Sequence, residues 1–289
     1  MHYLSNSEFD AITQLMRSCG QSVPQLAQQS FQVYEKGRQD YVTDVDRALD
    51  QQLTEQFTTL FPADRVITEE NSDSWQAFLS DATRLWLIDP LDGTDDFIQG
   101  AHYYALMAGL LVQHQPIAGW IYAPMFDHLY FGGSEFGIFE KIGDHPPQPL
   151  QPQTPAPPSE QFCPILLGHK DQKRFGSAIQ QHIPAARFDC VGSFGLKVMQ
   201  VLTGQAGLYI YLNGRVKLWD TTGPLAIAQA AGLMCCDLSG EPLRFTPDRM
   251  NLQTLAHQQP ILIGWPGYLE ALLPQIQAAV LSASTYSPS

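Results

Sequence analysis

The chain lacks the long apolar runs and the paired cysteines that would place it in several common classes of protein. No stretch of its 289 residues approaches the length of a membrane span, and its start has no basic segment followed by an apolar one, as a signal peptide would. Its five cysteines are scattered without a Cys-x-x-Cys pair, which argues against a disulfide framework. We therefore expect reduced, mostly buried thiols in a cytoplasmic protein with no membrane partner.

Positive charge is scarce as well. The chain has 16 Lys and Arg residues against 29 Asp and Glu, a formal net charge of −13. Such a balance disfavours binding to a nucleic acid polymer or to an anionic membrane. A small phosphorylated metabolite could bind such a protein only beside a local cation.

The composition is that of a protein with a substantial core, since 44% of the residues are hydrophobic. Residues 143–164 are rich in proline and poor in large apolar groups, which is typical of a semi-rigid connector. We accordingly predict an N-terminal α+β subdomain (1–145), a connector (146–164) and a C-terminal α/β subdomain (165–289).

Hydrophobic periodicity predicts the main elements of both halves. In the first half we expect helices over 7–19, 23–34 and 43–60, followed by a short strand within 66–71 that ends in two acids and a meander of strands over 104–112, 117–122 and 129–131. In the second half, strands and helices alternate, with strands near 165–168, 187–191, 207–212 and 260–265. The whole pattern indicates an α+β fold.

The most informative stretch is residues 86–97, Trp-Leu-Ile-Asp-Pro-Leu-Asp-Gly-Thr-Asp-Asp-Phe. An apolar strand should stop at Pro90, which has no amide hydrogen for a sheet. Asp89 and Asp92 would then lie on a tight turn, Gly93 would allow a ligand close to the backbone, and Thr94 would cap a short helix. Two carboxylates beside the amides of a helix start suit a divalent cation and a phosphate, although an ordinary acidic turn explains the motif alone equally well.

The longer string Asp-Pro-Leu-Asp-Gly-Thr resembles the signature of the inositol monophosphatase superfamily, which comprises metal-dependent, lithium-sensitive phosphatases. Four further motifs resemble that family in the same order along the chain. The first runs from Lys36 through Asp40 to Asp46, and the second is Glu69-Glu70. The third is Gly192-Ser193 before a helix, and the fourth is Trp219-Asp220 at the start of another helix. The three acidic motifs have local alternatives, because acidic residues are favoured in a first helical turn, as an N-cap or in a solvated strand end.

The resemblance implies the layered αβαβα sandwich of this family and a site for two or three Mg²⁺ ions. It assigns Glu69, Asp89 and the Leu91 carbonyl to one ion, and Asp89, Asp92 and Asp220 to a second; a third ion would use Glu69 and water. Glu70 would support the site, and Lys36 and Asp40 would belong to a mobile loop nearby. Asp46 and Thr94 would orient the attacking water, with Glu70 counted among the catalytic residues.

The resemblance also suggests which groups hold the substrate. Phosphate contacts would come from Gly93, Thr94, Gly192 and Ser193, with Asn213 and Lys217 beside the substrate. Family members are commonly dimeric, so a homodimer is expected.

Several features resemble the bacterial 3′(2′),5′-bisphosphate nucleotidases within this superfamily. They are Tyr122-Ala-Pro, the segment 239–247, and Lys217 three residues before Asp220. Asn213 stands where members that prefer inositol carry a glutamate. We therefore expect a bisphosphate nucleotide such as adenosine 3′,5′-bisphosphate, with inositol monophosphate second and histidinol phosphate or a sugar bisphosphate as further alternatives.

A hypothesis from another class is a non-catalytic domain that binds a divalent metal ion and uses its proline-rich connector to dock a partner. The Asp46/Thr94 pair argues against it, because a site that only binds a metal needs no oriented water.

Overall fold

The computed structural model describes residues 3–37 and 40–285. Its helices are α1 (Asn6–Gly20), α2 (Val23–Leu26), α3 (Asp44–Leu60), α4 (Thr94–Ile98), α5 (His169–His182), α6 (Phe194–Leu202), α7 (Leu218–Ala230) and α8 (Pro266–Thr285). The strands of the first half are β1 (Val33–Gly37), β2 (Asp40–Thr43), β3 (Arg65–Thr68), β4 (Arg84–Asp92), β5 (Ala105–Val112), β6 (Gln115–Ala123), β7 (His128–Gly133), β8 (Gly137–Ile142) and β9 (Gln148–Pro149). Those of the second half are β10 (Cys163–Leu167), β11 (Ala186–Asp189), β12 (Leu208–Tyr211), β13 (Met234–Cys236), β14 (Met250–Asn251), β15 (Ala256–His257) and β16 (Ile261–Gly264).

Two larger sheets organise these strands. The first has seven strands in the order β3-β4-β5-β6-β7-β8-β9, parallel between β3 and β4 and antiparallel elsewhere. The second has five strands in the order β11-β10-β12-β16-β13, in which β10 runs parallel to both of its neighbours. Short hairpins join β1 to β2 and β14 to β15.

Three hydrophobic clusters show how the layers stack. One joins α1 and α3 to the outer face of the seven-stranded sheet through Phe9, Leu53 and Trp86. A second holds α6 and α7 between the two sheets. The third packs α5 and α8 on the far face of the five-stranded sheet. The order is therefore helix, sheet, helix, sheet, helix, and the αβαβα sandwich predicted from the sequence is confirmed.

The middle layer depends on close contact between the backbone of α7 and the seven-stranded sheet. A Cβ atom placed on Gly119 would lie 2.1 Å from the Gly223 carbonyl oxygen, and one on Gly109 would lie 2.4 Å from the Gly223 amide nitrogen. Only glycines leave room for a helix so near the strands. This contact holds the first turn of α7, and with it Asp220, at the carboxyl end of β4.

The region before α3 differs from the predicted helix over 23–34. Helix α2 ends at Leu26, and Val33 already pairs with Thr43 in the antiparallel β1–β2 hairpin. Pairing with β2 outweighs the helical spacing of the apolar residues here. Thr43 is the N-cap of α3, as predicted, and its side chain accepts hydrogen bonds from the amides of Val45 and Asp46.

The central strand also runs further than predicted. Strand β4 continues through Pro90 to Asp92, because Pro90 and Leu91 together lie opposite Leu106 between the pairs Asp89–Met107 and Asp92–Ala105. This bulge accommodates a residue without an amide hydrogen. The cap of α4 is Gly93 in the left-handed conformation, φ 96°, so the prediction that Thr94 caps this helix is wrong.

The predicted strands of the meander and of the second half lie close to β5, β6, β7, β10, β11, β12 and β16, whereas β8, β9, β13, β14 and β15 were not predicted. Within residues 146–164, β9 adds to the edge of the seven-stranded sheet beside β8. The division into two subdomains stays a prediction. Across residues 3–37 and 40–285, no helix is both long enough and apolar enough to cross a membrane.

The glycine contact leads to a stability prediction. Gly119→Ala should lower the free energy of unfolding by about 1–3 kcal/mol or more, because the new methyl group would meet the backbone of α7. Chemical denaturation monitored by circular dichroism would measure this. Gly267→Ala is the matched control, since a Cβ there meets nothing within 4 Å. Equal stabilities of the two variants would contradict the proposed role of the contact.

Candidate metal and phosphate site

Three carboxylates from distant parts of the chain meet at one point. Asp89 and Asp92 lie at the end of β4, and Asp220 lies in the first turn of α7. One ligand oxygen from each of the three lies within 4.8 Å of the other two. Asp89 and Asp92 are buried, and Asp220 is partly buried. The acidic triad is thus a product of the tertiary fold.

Local hydrogen bonds orient each member of the acidic triad. The Leu91 amide donates to Asp89 Oδ1 over 2.9 Å, as the β4 bulge allows. Asp92 Oδ2 accepts the Gly195 amide over 2.9 Å and the Ser193 hydroxyl. Asp220 Oδ2 accepts the Lys217 amide over 2.5 Å. Backbone amides and one hydroxyl group therefore hold the three carboxylates in place.

Crowding of these acids makes their charged forms costly. Burial raises the pKa of Asp220 to about 7, and the nearby charges of Glu69 and Asp92 add to the effect. Burial also raises the pKa of Asp92, and it raises the pKa of Asp89 well above its ordinary value together with the charge of Glu69. A cation would remove this cost. A set of carboxylate oxygens fits a hard divalent ion such as Mg²⁺, and the triad contains neither Cys nor His.

Glu69 and Glu70 follow β3 and reach the same region. The Glu69 amide donates to the Ile88 carbonyl over 3.1 Å, which places this residue beside the end of β4. Lys36 Nζ lies 3.1 Å from Glu69 Oε1 and 2.6 Å from Glu70 Oε1. Burial, with the neighbouring charge of Glu69, raises the pKa of Glu70 to about 7.

Asp46 and Thr94 are in direct contact, although 48 residues separate them. The Thr94 hydroxyl lies 2.9 Å from Asp46 Oδ1, with the Leu91 carbonyl oxygen at 3.0 Å as a second acceptor. Asp46 also accepts the Thr43 amide over 2.8 Å, so its local role at the helix start is real too. The helix-start hydrogen bond of Asp46 and its contact with Thr94 therefore coexist.

The start of α6 faces acidic side chains. The Gly192 amide donates to Asp96 Oδ2 over 3.0 Å, and the Ser193 hydroxyl donates to Asp92. Gly93 lies against this loop, where a Cβ would be 3.1 Å from the Ser193 amide nitrogen. In this arrangement, Gly192 and Ser193 orient carboxylates beside the turn at Gly93.

The other residues named from the sequence divide into two groups. Lys217 lies at the site, with its Nζ 3.4 Å from Glu69 Oε1. Asn213 lies in a turn near Asp171, whose Oδ2 is 3.4 Å from Asn213 Nδ2. Asp40 begins β2, but its side chain lies outside the described residues.

Two buried polar residues near the site were not identified from the sequence. Lys197, 6% exposed, donates from Nζ to the Val191 carbonyl over 2.7 Å and to the Gly192 carbonyl over 2.8 Å. Burial lowers its pKa despite the charges of Asp92 and Asp96 nearby. The available signal was a single lysine inside the stretch 194–202, which is apolar apart from Lys197 and Gln200.

Asp50 is the second such residue. It lies one helical turn after Asp46, close to Glu69 and Lys36, and burial raises its pKa. The spacing of four residues from Asp46 on α3 was the signal in the sequence.

Several known proteins are similar to this chain in sequence and in fold. The model of the inositol monophosphatase family matches residues 5–280. The 3′(2′),5′-bisphosphate nucleotidase CysQ of Escherichia coli K12 is 30% identical over 242 residues, which cover 82% of this chain and 94% of the relative. A fructose-1,6-bisphosphatase/inositol-1-monophosphatase of Aquifex aeolicus is 29% identical, over 73% of this chain and 76% of that protein. The Thermotoga maritima inositol monophosphatase structure superposes with a TM-score of 0.77 at 19% identity, and the match covers 96% of this chain and 99% of that one.

A sandwich of this topology with a buried acidic cluster is typical of metal-dependent phosphatases that act on small phosphorylated substrates. The chain belongs to the inositol monophosphatase family.

The raised pKa values predict how stability depends on pH without metal ions. Asp220 and Glu70 bind protons more tightly in the folded protein, with pKa values of about 7, than in the unfolded chain, where the ordinary values are 3.8 and 4.5. Stability should therefore be highest at low pH within this window and fall as the pH rises from about 4 to about 7. Thermal unfolding in the presence of a chelator would show a decreasing Tm. Saturating Mg²⁺ should remove the decrease, and a Tm that rises with pH in the chelator would contradict the assignment.

Proposed function

We propose that the protein is a Mg²⁺-dependent phosphomonoesterase that hydrolyses a 3′(2′),5′-bisphosphate nucleotide, with adenosine 3′,5′-bisphosphate as the expected substrate. The observation that carries the catalytic part is the acidic triad beside the hydrogen-bonded Asp46/Thr94 pair. Similarity to the CysQ nucleotidase supports the choice of substrate.

The residues that would hold metal ions are those named from the sequence. Glu69, Asp89 and the Leu91 carbonyl would bind one Mg²⁺, and Asp89, Asp92 and Asp220 a second; a third would rely on Glu69 and water. When bound, such ions lower the pKa of water and neutralise charge on the phosphate and the leaving oxygen.

The chain itself supplies orientation of the attacking water and of the phosphate. Asp46 accepts the Thr94 hydroxyl hydrogen, which leaves lone pairs of the Thr94 oxygen for a proton of the attacking water. The amides of Gly93 and Thr94, at the turn that leads into α4, would donate to phosphate oxygens as their charge grows. Glu70, with its raised pKa, can exchange a proton near neutral pH, which fits its proposed supporting role.

Substrate contacts are the less constrained part of the proposal. Lys217 lies at the site and provides a positive charge for an anionic substrate. Asn213 contacts Asp171, and Gly192 and Ser193 contact acidic side chains, so direct substrate contacts by these three would require other atoms or other rotamers. A homodimer in the cytoplasm stays a prediction.

A second substrate class is a cyclic polyol or sugar phosphate. The similarity to the Aquifex aeolicus enzyme favours it, because that protein is named for both fructose 1,6-bisphosphate and inositol 1-phosphate. The hypothesis of a non-catalytic metal-binding domain has less support, since the chain belongs to a family of phosphatases and keeps the Asp46/Thr94 contact.

The catalytic assignment leads to a mutational prediction. Asp89→Asn should abolish Mg²⁺-dependent phosphate release while the circular dichroism spectrum stays unchanged.

Thr94→Val should lower kcat by about 10²–10⁴-fold, because the water loses its orienting group. The neighbouring exposed Asp95 offers a control, and Asp95→Asn should keep most of the activity. An Asp89→Asn variant that hydrolyses phosphate esters without metal would overturn the assignment.

The substrate is tested by comparing kcat/KM for adenosine 3′,5′-bisphosphate, inositol 1-phosphate, histidinol phosphate and fructose 1,6-bisphosphate with saturating Mg²⁺. We expect the nucleotide to exceed the others by at least about tenfold, which corresponds to roughly 1.4 kcal/mol of transition-state binding. A higher value for inositol 1-phosphate would overturn the substrate and leave the phosphatase mechanism intact.

A further inference from the structure

Glu69 differs from the acidic triad in having positively charged partners. Its Oε1 atom lies 3.1 Å from Lys36 Nζ and 3.4 Å from Lys217 Nζ. Burial raises the pKa of Glu69, but the two lysines outweigh burial and bring it below its ordinary value. One oxygen of this proposed metal ligand thus lies within 3.4 Å of two ammonium groups.

The two lysines that contact Glu69 come from distant parts of the chain, one before it and one after it in sequence. Lys36 belongs to the β1–β2 hairpin, and its Nζ also lies 2.6 Å from Glu70 Oε1. Lys217 immediately precedes α7 and forms a bridge with Ala256. Lys36 and Lys217 are therefore positioned by two different elements of the structure, and the two contacts with Glu69 do not rest on the same segment.

Aromatic packing supports the Lys217 side of this arrangement. Lys217 Nζ lies 5.2 Å from the centre of the Trp219 ring, and Trp219 packs against Trp75 with ring centres 5.1 Å apart. Trp75 Nε1 in turn donates over 2.8 Å to the carbonyl of Thr68, the residue before Glu69. These contacts connect the Lys217 ammonium group to the backbone next to Glu69, and so help to keep the two charged groups close together.

We propose that Lys36 and Lys217 are resident counter-ions of Glu69 that compete with the metal ion for this carboxylate, an inference that rests on the proposed function. A divalent cation at Glu69 must take an oxygen from two ammonium groups and then bear their repulsion. The lysines therefore weaken metal binding at Glu69, and the metal affinity of the site is set partly by residues that are not metal ligands. The proposal therefore predicts that replacing either lysine with a neutral residue should increase the affinity of the site for the metal ion.

Isothermal titration of chelator-treated protein with MgCl₂, without substrate, measures this affinity. Lys217→Met and Lys36→Met should each lower the Kd for Mg²⁺ by about three- to tenfold, because one competing charge is lost. Lys141→Met is the matched control, since Lys141 lies on β8 and its Nζ donates to the His145 carbonyl. It makes the same change in net charge away from the site and should leave the Kd unchanged. Equal or weaker Mg²⁺ binding by both site variants would overturn the proposal.

A second measurement uses the unaltered chain and so does not depend on whether the variants fold. Amine acylation followed by mass spectrometry should show faster modification of Lys36 and Lys217 when Mg²⁺ is added, with Lys141 as the internal reference. Unchanged rates at both lysines, with Mg²⁺ bound, would overturn the competition and leave the proposed function standing. A chain that binds no Mg²⁺ at all would instead overturn the proposed function.

Discussion

Repulsion among acidic side chains is the constraint on which this site depends. Asp89, Asp92 and Asp220 place carboxylate oxygens within 4.8 Å of one another in a largely buried region, and their pKa values rise as a result. Left to itself, such a cluster would move apart or take up protons. The fold prevents separation with backbone amides and hydroxyl groups, so the remaining way to relieve the repulsion is to bind positive charge.

The packing of α7 on the seven-stranded sheet makes that constraint possible. Glycines at 109, 119 and 223 bring the helix backbone against the strands, and the first turn of the helix then lies at the end of β4. Carboxylates 128 residues apart along the chain, Asp92 and Asp220, thereby meet. Core packing and the geometry of the site are therefore linked, because a shift of this helix would separate Asp220 from Asp89 and Asp92.

The carboxylates of the site differ in the charge of the groups that hold them. Glu69 has Lys36 and Lys217 as partners, whereas the acidic triad is held mainly by neutral donors. The two kinds of carboxylate should respond differently to a cation, since Glu69 exchanges an ammonium group, whereas the oxygens of the acidic triad are held mainly by neutral amide and hydroxyl donors. Lys197, buried behind the Gly192 carbonyl, places a further amino group close to Asp92 and Asp96. Several of the few lysines in this acidic protein lie at or near the site, which suits an anionic substrate.

The sequence alone was sufficient for the family, the alternating pattern of elements and the acidic candidates, because hydrophobic periodicity and motifs such as Asp-Pro-Leu-Asp-Gly-Thr are local properties of the chain. It also identified Thr43 as a helix cap, a choice that depends on the next three residues only. Tertiary structure decided the rest: the hairpin at Val33 in place of a helix, the continuation of β4 through Pro90, and the partners of Asn213, Ser193 and Lys217. Those outcomes depend on contacts between residues far apart in the chain, and the free energy of such contacts cannot be judged until both sides are in place.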